Sequence, residues 1–200
     1  MPKSARKGPG RGAGSLRIIG GEYRGRRLGI ANVEGLRPTG DRQRETLFNW
    51  LQVQTPGARV LDAFAGTGAL GLEAASRGAS HVWLLEKQPQ AVASLKQAVS
   101  TLGCAATVVQ CDALAWLARA ETEPFDLVFL DPPFAAGLWT DALAALIAQK
   151  RLAERALVYL ESPRQQTLAL PDGLQLMKEK HSGDVSMRLY QWTGTAMGGN

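Results

Sequence analysis

Two stretches of this chain combine residue types that can do chemistry. In the first, the apolar run Val60-Leu61 reaches Asp62 and breaks into Ala63-Phe64-Ala65-Gly66-Thr67-Gly68, followed by the helix-forming Leu70-Gly71-Leu72-Glu73-Ala74-Ala75. Gly66 and Gly68 lack a Cβ, so a tight turn can bring backbone amides close to a nucleotide-like ligand, with a helix N-terminus behind it favouring negative charge. The spacing Gly66, Gly68, Gly71 also meets the bare dinucleotide-binding pattern, so the turn alone leaves the ligand open, and strand–helix packing would use the same glycines. In the second stretch, Asp126-Leu127-Val128-Phe129-Leu130 ends in Asp131-Pro132-Pro133-Phe134. Two successive prolines can neither continue a ladder nor enter a helix interior, so the backbone leaves the sheet rigidly at its carboxyl edge, with Asp131 and Phe134 fixed in a cleft.

Two acidic residues narrow the ligand. Asp62 closes the first strand and Glu86 closes the next apolar run, Val82-Trp83-Leu84-Leu85-Glu86. Asp-x-Phe-x-Gly-x-Gly resembles the first motif of class I S-adenosylmethionine (SAM) methyltransferases. That resemblance implies that Asp62 lies near the methionine amino end and that the Glu86 carboxylate accepts from the ribose hydroxyls. Asp112 resembles the residue of that class which accepts from the adenine amino group, with the Ala113 amide offered to the ring; capping of the following helix is the alternative role for Asp112.

The Asp-Pro-Pro-Phe loop suits a planar amino group. An exocyclic amine on a nucleobase is a poor nucleophile because its lone pair is delocalised into the ring. The Asp131 carboxylate and the Pro132 carbonyl could accept its two hydrogens and favour a pyramidal nitrogen, while Phe134 stacks on the base and holds it in line. No metal is expected, since a sulfonium already activates the methyl group. A base inside RNA structure must first be unstacked, and a stacking phenylalanine offsets part of that cost.

These residues need a scaffold, and the chain spells one out. Strand patterns at 59–62, 81–86, 106–110, 125–131 and 156–161 alternate with helix patterns at 70–77, 90–101, 113–119 and 139–149, which predicts a parallel sheet covered on both faces. Residues 173–180 and 185–192, joined across Ser182-Gly183-Asp184, predict an antiparallel hairpin at the end. The fold class is therefore α/β: a Rossmann-like class I methyltransferase fold with a seven-stranded, mostly parallel sheet. Ahead of it, Leu16-Arg17-Ile18-Ile19 and Arg24 to Ile30 read as a small basic hairpin. A helix from Arg42 to Gln52 follows, with Asp41 as its N-cap and Leu47, Trp50 and Leu51 as its apolar stripe, Arg37, Arg42 and Arg44 staying polar. The expected organisation is a basic disordered tail at 1–15, an RNA-binding hairpin and helix at 16–55, a methyltransferase domain at 56–193 and a flexible tail at 194–200.

The formal charge of +5 is unevenly placed. Residues 1–45 hold eleven Lys and Arg against four acids, leaving the remainder slightly acidic, and a base-rich segment on an enzyme-like domain points to a polyanion. Cys104 and Cys111 read as reduced thiols, and His81 and His181 match no metal or triad spacing. Without an apolar run of membrane length or a signal-peptide segment, the expected compartment is the cytoplasm, and with no declared interface the expected state is a monomer.

The arginine-rich block carries the more specific likeness. Arg17-Ile18-Ile19-Gly20-Gly21, Arg24-Gly25-Arg26, Gly35-Leu36-Arg37-Pro38-Thr39, Asp41-Arg42 and Arg44 to Leu51, together with the glycine turn, Asp131-Pro132-Pro133-Phe134 and Arg188-Leu189-Tyr190-Gln191, resemble the RsmD family of bacterial 16S rRNA guanine-N2 methyltransferases. The likeness runs from about Leu16 to Trp192; the first fifteen residues and Gln165 to Pro171 depart from it. It implies SAM as cofactor, held by Thr39, Asp62, Phe64, Gly66, Gly68, Glu86, Lys87, Asp112 and Ala113. It implies Asp131, Pro132 and Phe134 as the catalytic set, and Arg17, Arg24, Arg26, Arg37 and Arg42 as contacts to RNA phosphates, for which the guanidinium fork is suited. The implied partner is 16S rRNA within assembled or assembling 30S subunits and their ribosomal proteins.

Other readings share parts of this pattern. DNA adenine N6 and protein glutamine amides are methylated by related Asp/Asn-Pro-Pro-aromatic loops; the arginine block and the lack of room for a DNA-recognition domain favour rRNA. A noncatalytic RNA-binding factor could keep the fold, but intact Asp62, Glu86 and Asp131 argue against it. A nicotinamide oxidoreductase would be separated by titration with SAM and NAD.

Overall fold

The computed structural model describes residues 14–31, 40–119 and 121–194. A two-stranded antiparallel ribbon comes first, β1 (Ser15–Arg17) against β2 (Arg27–Gly29), followed by helix α1 (Asp41–Trp50). The alternating region follows as β3 (Arg59–Asp62), α2 (Gly71–Ser76), β4 (His81–Glu86), α3 (Pro89–Leu102), β5 (Ala106–Gln110), α4 (Ala113–Leu117), β6 (Phe125–Leu130), α5 (Trp139–Ala148) and β7 (Leu152–Pro163). β8 (Leu174–Ser182) and β9 (Val185–Trp192) form the closing hairpin.

One seven-stranded sheet runs in the order β5-β4-β3-β6-β7-β9-β8. All neighbours are parallel until β9, which inserts antiparallel between β7 and β8. This is the expected class I methyltransferase arrangement. Its central strands β3, β6 and β7 are apolar on both faces because helices cover both, whereas the edge strand β8 is largely exposed. Val60, Leu127, Phe129 and Tyr159 face Leu47 and Phe48 of α1, Leu72 of α2 and Leu95 of α3. Leu61, Val128, Leu130 and Val158 face Leu117 of α4 and Leu143 and Leu146 of α5.

The period of two along each strand also assigns the residues at the strand ends. Asp62 follows Val60, Asp131 follows Phe129 and Glu161 follows Tyr159, so three carboxyls come to the carboxyl edge of adjacent strands on the side that α1 and α2 cover.

Several boundaries differ from expectation, each for a local reason. Asp41 is not the N-cap of α1. Gly40 caps it, its amide donating to Gln43 Oε1 at 3.1 Å, while the Asp41 carboxylate is drawn away to Arg17 and Arg44. Arg44 does not stay on the polar face: it is 1% exposed and joins Leu47 and Phe48 in the buried stripe, with Trp50 only partly buried. β7 reaches four residues earlier and two later than the expected 156–161, with a register shift against β6 between Phe125 and Leu127 and a left-handed Arg155 (φ 62°).

The ribbon and α1 pack into the same core as the sheet, through Leu16, Ile18 and Leu28. The expected tail at 1–15 overlaps β1, which begins at Ser15 because it pairs with Gly29; residues 1–13, 195–200 and the stretch bearing Arg37 and Thr39 lie outside the described residues.

Candidate active site

The glycine turn sits where β3 ends. Gly66 (φ 53°) and Gly68 (φ 80°) are both left-handed, a conformation that costs an L side chain about 1–2 kcal/mol. A Cβ on Gly68 would also stand 2.6 Å from Leu95 Cδ2, so this turn has no room for a larger residue. Two carboxylates hold it from below. Asp62 Oδ2 accepts from the Gly71 amide at 2.9 Å, at the start of α2. Glu86 Oε2 accepts from the Gly66 amide at 3.0 Å and its Oε1 from the Gln88 amide at 2.7 Å. Phe64 is partly buried beside the turn, and Lys87 is exposed just past Glu86.

Across the sheet, β6 stops at Leu130 because Pro132 and Pro133 supply no amide to a ladder. Pro132 is buried and Asp131 partly so. Phe134 begins a single 3₁₀ turn, Phe134–Ala136, ended by a left-handed Gly137 (φ 61°). Its ring is 38% exposed and stands 6.1 Å from that of Trp139, an aromatic surface open on one side. Asp112 is exposed and caps α4 through an Oδ1 bond from the Ala115 amide at 3.0 Å, so the capping role exists in the structure; Ala113 behind it is buried.

Burial sets the electrostatics of the edge. It pushes the Asp62 carboxyl up to about 7, and the Glu86 charge adds to the rise, while the Gly71 and Phe64 amides work against it. Burial likewise lifts Asp131 well above the carboxylate range, reinforced by the charges of Glu161 and Asp62. Glu161 is raised by burial, opposed by the hydrogen bond that the Tyr159 hydroxyl donates to its Oε2 at 2.8 Å. Among the described residues no group of three or more His, Cys, Asp or Glu side chains has metal-binding geometry.

The Asp62 shift has a measurable consequence. The folded chain holds a proton on Asp62 that an unfolded chain gives up near 3.8, so this group's stability is complete below about pH 4 and is lost as pH rises through 7. Asp62→Asn, whose amide oxygen still accepts from Gly71, is expected to raise folding stability by about 1–3 kcal/mol at pH 8 and by less at pH 5. Urea midpoints at the two pH values check it.

The arginines proposed for RNA divide into two groups. Arg24 and Arg42 are exposed, with no side-chain partner among the described residues. Arg17 is engaged by Asp41 at 2.7 Å, and Arg26 lies over the Tyr23 ring at 5.6 Å and reaches the Thr101 carbonyl at 3.3 Å. Arg188 binds Glu179 and the Ser162 hydroxyl, and Tyr190 is buried, so both serve packing in the closing hairpin.

Sequence reasoning missed two sets of residues here. One is Tyr159 and Glu161, a buried pair two residues apart on one face of β7; the signal was a charged residue closing an apolar strand. The other is Glu73 with Arg44, both buried between α1 and α2, and the partly buried Arg77, where the only signal was one acid inside the apolar start of α2.

A family model described as conserved hypothetical protein 95 matches residues 16–191. The ribosomal RNA small subunit methyltransferase D of Haemophilus influenzae is 45% identical over 182 residues, spanning 89% of this chain and 94% of the relative. The chain belongs to the RsmD family. The Escherichia coli relative of the same description, also 45% identical over 182 residues, spans 90% of this chain and 91% of its own length. Among solved structures, a putative methyltransferase from Escherichia coli superposes with a TM-score of 0.83 at 44% identity, over 91% of this chain and all of that one. The RsmD match begins at Leu16 and so takes in the N-terminal ribbon and α1 along with the sheet.

Proposed function

We propose that this protein transfers a methyl group from SAM to the exocyclic N2 of a guanine in 16S rRNA, within assembled or assembling 30S subunits in the cytoplasm, and that it acts as a monomer. It is an RsmD-family enzyme whose nearly full-length relatives are described as small-subunit rRNA methyltransferases. The observation that carries the reading is the meeting of two motifs on one sheet edge: the glycine turn after β3 and the Asp-Pro-Pro-Phe loop after its neighbour β6.

The residues at this edge fit SAM. The left-handed Gly68 packs its backbone closely on Leu95 and Leu72, and the partly buried Gly66 keeps its backbone accessible at the turn. Asp62, Phe64, Gly66, Gly68, Glu86, Lys87, Asp112 and Ala113 would hold the cofactor, together with Thr39. When bound, SAM supplies a methyl group already activated by a positively charged sulfur. The chain's own residues do the rest. Asp131 and the Pro132 carbonyl accept from the amino group and hold its lone pair out of the ring, and Phe134 stacks on the guanine to fix its plane. Residues 16–55 bring RNA to this edge, with Arg17, Arg24, Arg26, Arg37 and Arg42 meeting phosphates; residues 56–193 carry the chemistry.

The test is labelled methyl transfer from SAM to small subunits from cells lacking the native enzyme, with naked 16S rRNA and DNA in parallel, followed by nucleoside analysis. N2-methylguanosine from subunits is the expected product. Label in N6-methyladenine or in protein would sink the guanine assignment.

A further inference from the structure

Asp131 does not stand alone at the end of its strand. β6 and β7 pair in parallel through Leu130 and Leu160, so Asp131 and Glu161 are the next opposed positions, on the same side of the sheet. Glu161 is 7% exposed, and Asp62, 2% exposed, flanks Asp131 from β3. Glu161 is held at two points. The Tyr159 hydroxyl donates to its carboxylate at 2.8 Å, and the indole N–H of Trp139, from α5, donates to its backbone carbonyl at 2.8 Å.

Among the described residues, the titratable groups that face this pair are acidic. Asp62 faces it from β3 and Tyr159 from β7. Arg188 of β9 sits in the row beside it but is turned to Ser162 Oγ at 2.9 Å and to Glu179 at 2.7 Å. Among the described residues no ion pair reaches Asp131 or Glu161. Two neighbouring carboxyls with no cation paired to them among the described residues cannot both ionise readily. Burial holds both above their ordinary range, and the Glu161 charge adds to the rise at Asp131.

We propose that Glu161 is a positioning residue for Asp131, the two carboxyls sharing one proton and Tyr159 fixing the orientation of the pair. This rests on the role of Asp131 as acceptor for the substrate amino group. The shared proton answers a need of the reaction. As the new carbon–nitrogen bond forms, the carbon–sulfur bond breaks and its electron pair leaves on sulfur, so the amino nitrogen carries one proton in excess. The Asp131–Glu161 pair takes that proton, entering the step with one and leaving it with two, and returns it to water once product has gone. A lone buried carboxylate would be held ionised only against a desolvation penalty; sharing one proton spreads the single negative charge over both groups.

Carbon-13 titration of the side-chain carboxyls in the full-length protein tests the pairing without turnover. In the wild type, one carboxyl of the pair is expected to stay protonated to near neutral pH. In Asp131→Asn the midpoint of Glu161, and in Glu161→Gln that of Asp131, is expected to fall by about one pH unit or more. In steady-state assays, Glu161→Gln is expected to move the acid limb of the kcat profile to higher pH, to remove its alkaline limb and to lower kcat by about tenfold, leaving KM for SAM and subunits within twofold. Unmoved midpoints overturn the pairing; should Glu161→Gln not fold, the Glu161 midpoint in Asp131→Asn decides alone. Wild-type turnover by Asp131→Asn overturns the Asp131 assignment itself, whereas an inactive Asp131→Asn with unmoved midpoints overturns only the pairing.

Discussion

Asp131→Ala is expected to slow methyl transfer by about 10³-fold in single-turnover assays while leaving SAM binding within threefold. The size follows from what the side chain is placed to do. In the proposed mechanism it accepts a hydrogen bond that strengthens as the nitrogen pyramidalises and receives the proton afterwards; alanine removes both functions at a site with no other acceptor side chain on that loop. Asp131→Asn keeps an acceptor oxygen and loses the proton acceptor, so it should fall between alanine and wild type. Unfolding will not explain the loss. The Asp131 carboxyl is raised in the folded protein by burial and by Glu161 and Asp62, so its ionisation opposes folding above the ordinary carboxylate range, and its removal should leave the thermal midpoint at pH 8 unchanged or higher. A full-rate Asp131→Ala enzyme would remove this residue from the mechanism.

What the sequence disclosed about this site, it disclosed through the backbone. Gly66 and Gly68 announce a turn because few other residues adopt their φ, and Pro132-Pro133 announces a strand end because proline has no amide to give. The order of strands and helices was legible for the same reason: parallel strands buried on both faces read as short apolar runs. Side-chain partnerships across the fold leave no such trace. Arg44 and Glu73 are 29 residues apart, and nothing in an alternating arginine and glutamate pattern on α1 distinguishes an arginine that turns inward from one that faces water. Asp41 shows the limit from the other direction. Both Gly40 and Asp41 are good cap residues, and the choice fell to Gly40 because Arg17 and Arg44 compete for the aspartate, at 2.7 and 2.6 Å. Glu161 was hidden because a carboxylate closing an apolar run looks like the strand's exit to solvent, whereas β7 continues to Pro163.

Glu73→Leu is expected to destabilise the protein by about 3–5 kcal/mol, the loss reported for breaking one partner out of a buried ion pair. Glu73 is fully buried and takes four donors: the Ile19 and Gly20 amides and Arg77 Nε, each at 2.8 Å, and Arg44 Nη1 at 3.5 Å. Leucine would leave two amides without acceptors and take from the buried Arg44 its fully buried carboxylate partner. The double variant Glu73→Leu with Arg44→Leu should recover part of the loss, because the buried cation goes with its partner; urea unfolding of the four proteins of the cycle measures the coupling. Location makes this more than a stability test. Glu73 lies in α2, directly behind the glycine turn, and its backbone donors, Ile19 and Gly20, are the residues that lead on from β1 in the arginine-bearing ribbon. Loss of the carboxylate should therefore speed hydrogen exchange at Ile19 and Gly20 before it unfolds the sheet, and weaken binding to small subunits more than binding of SAM. Equal weakening of both would mean that Glu73 supports the sheet as a whole and has no particular part in seating the ribbon.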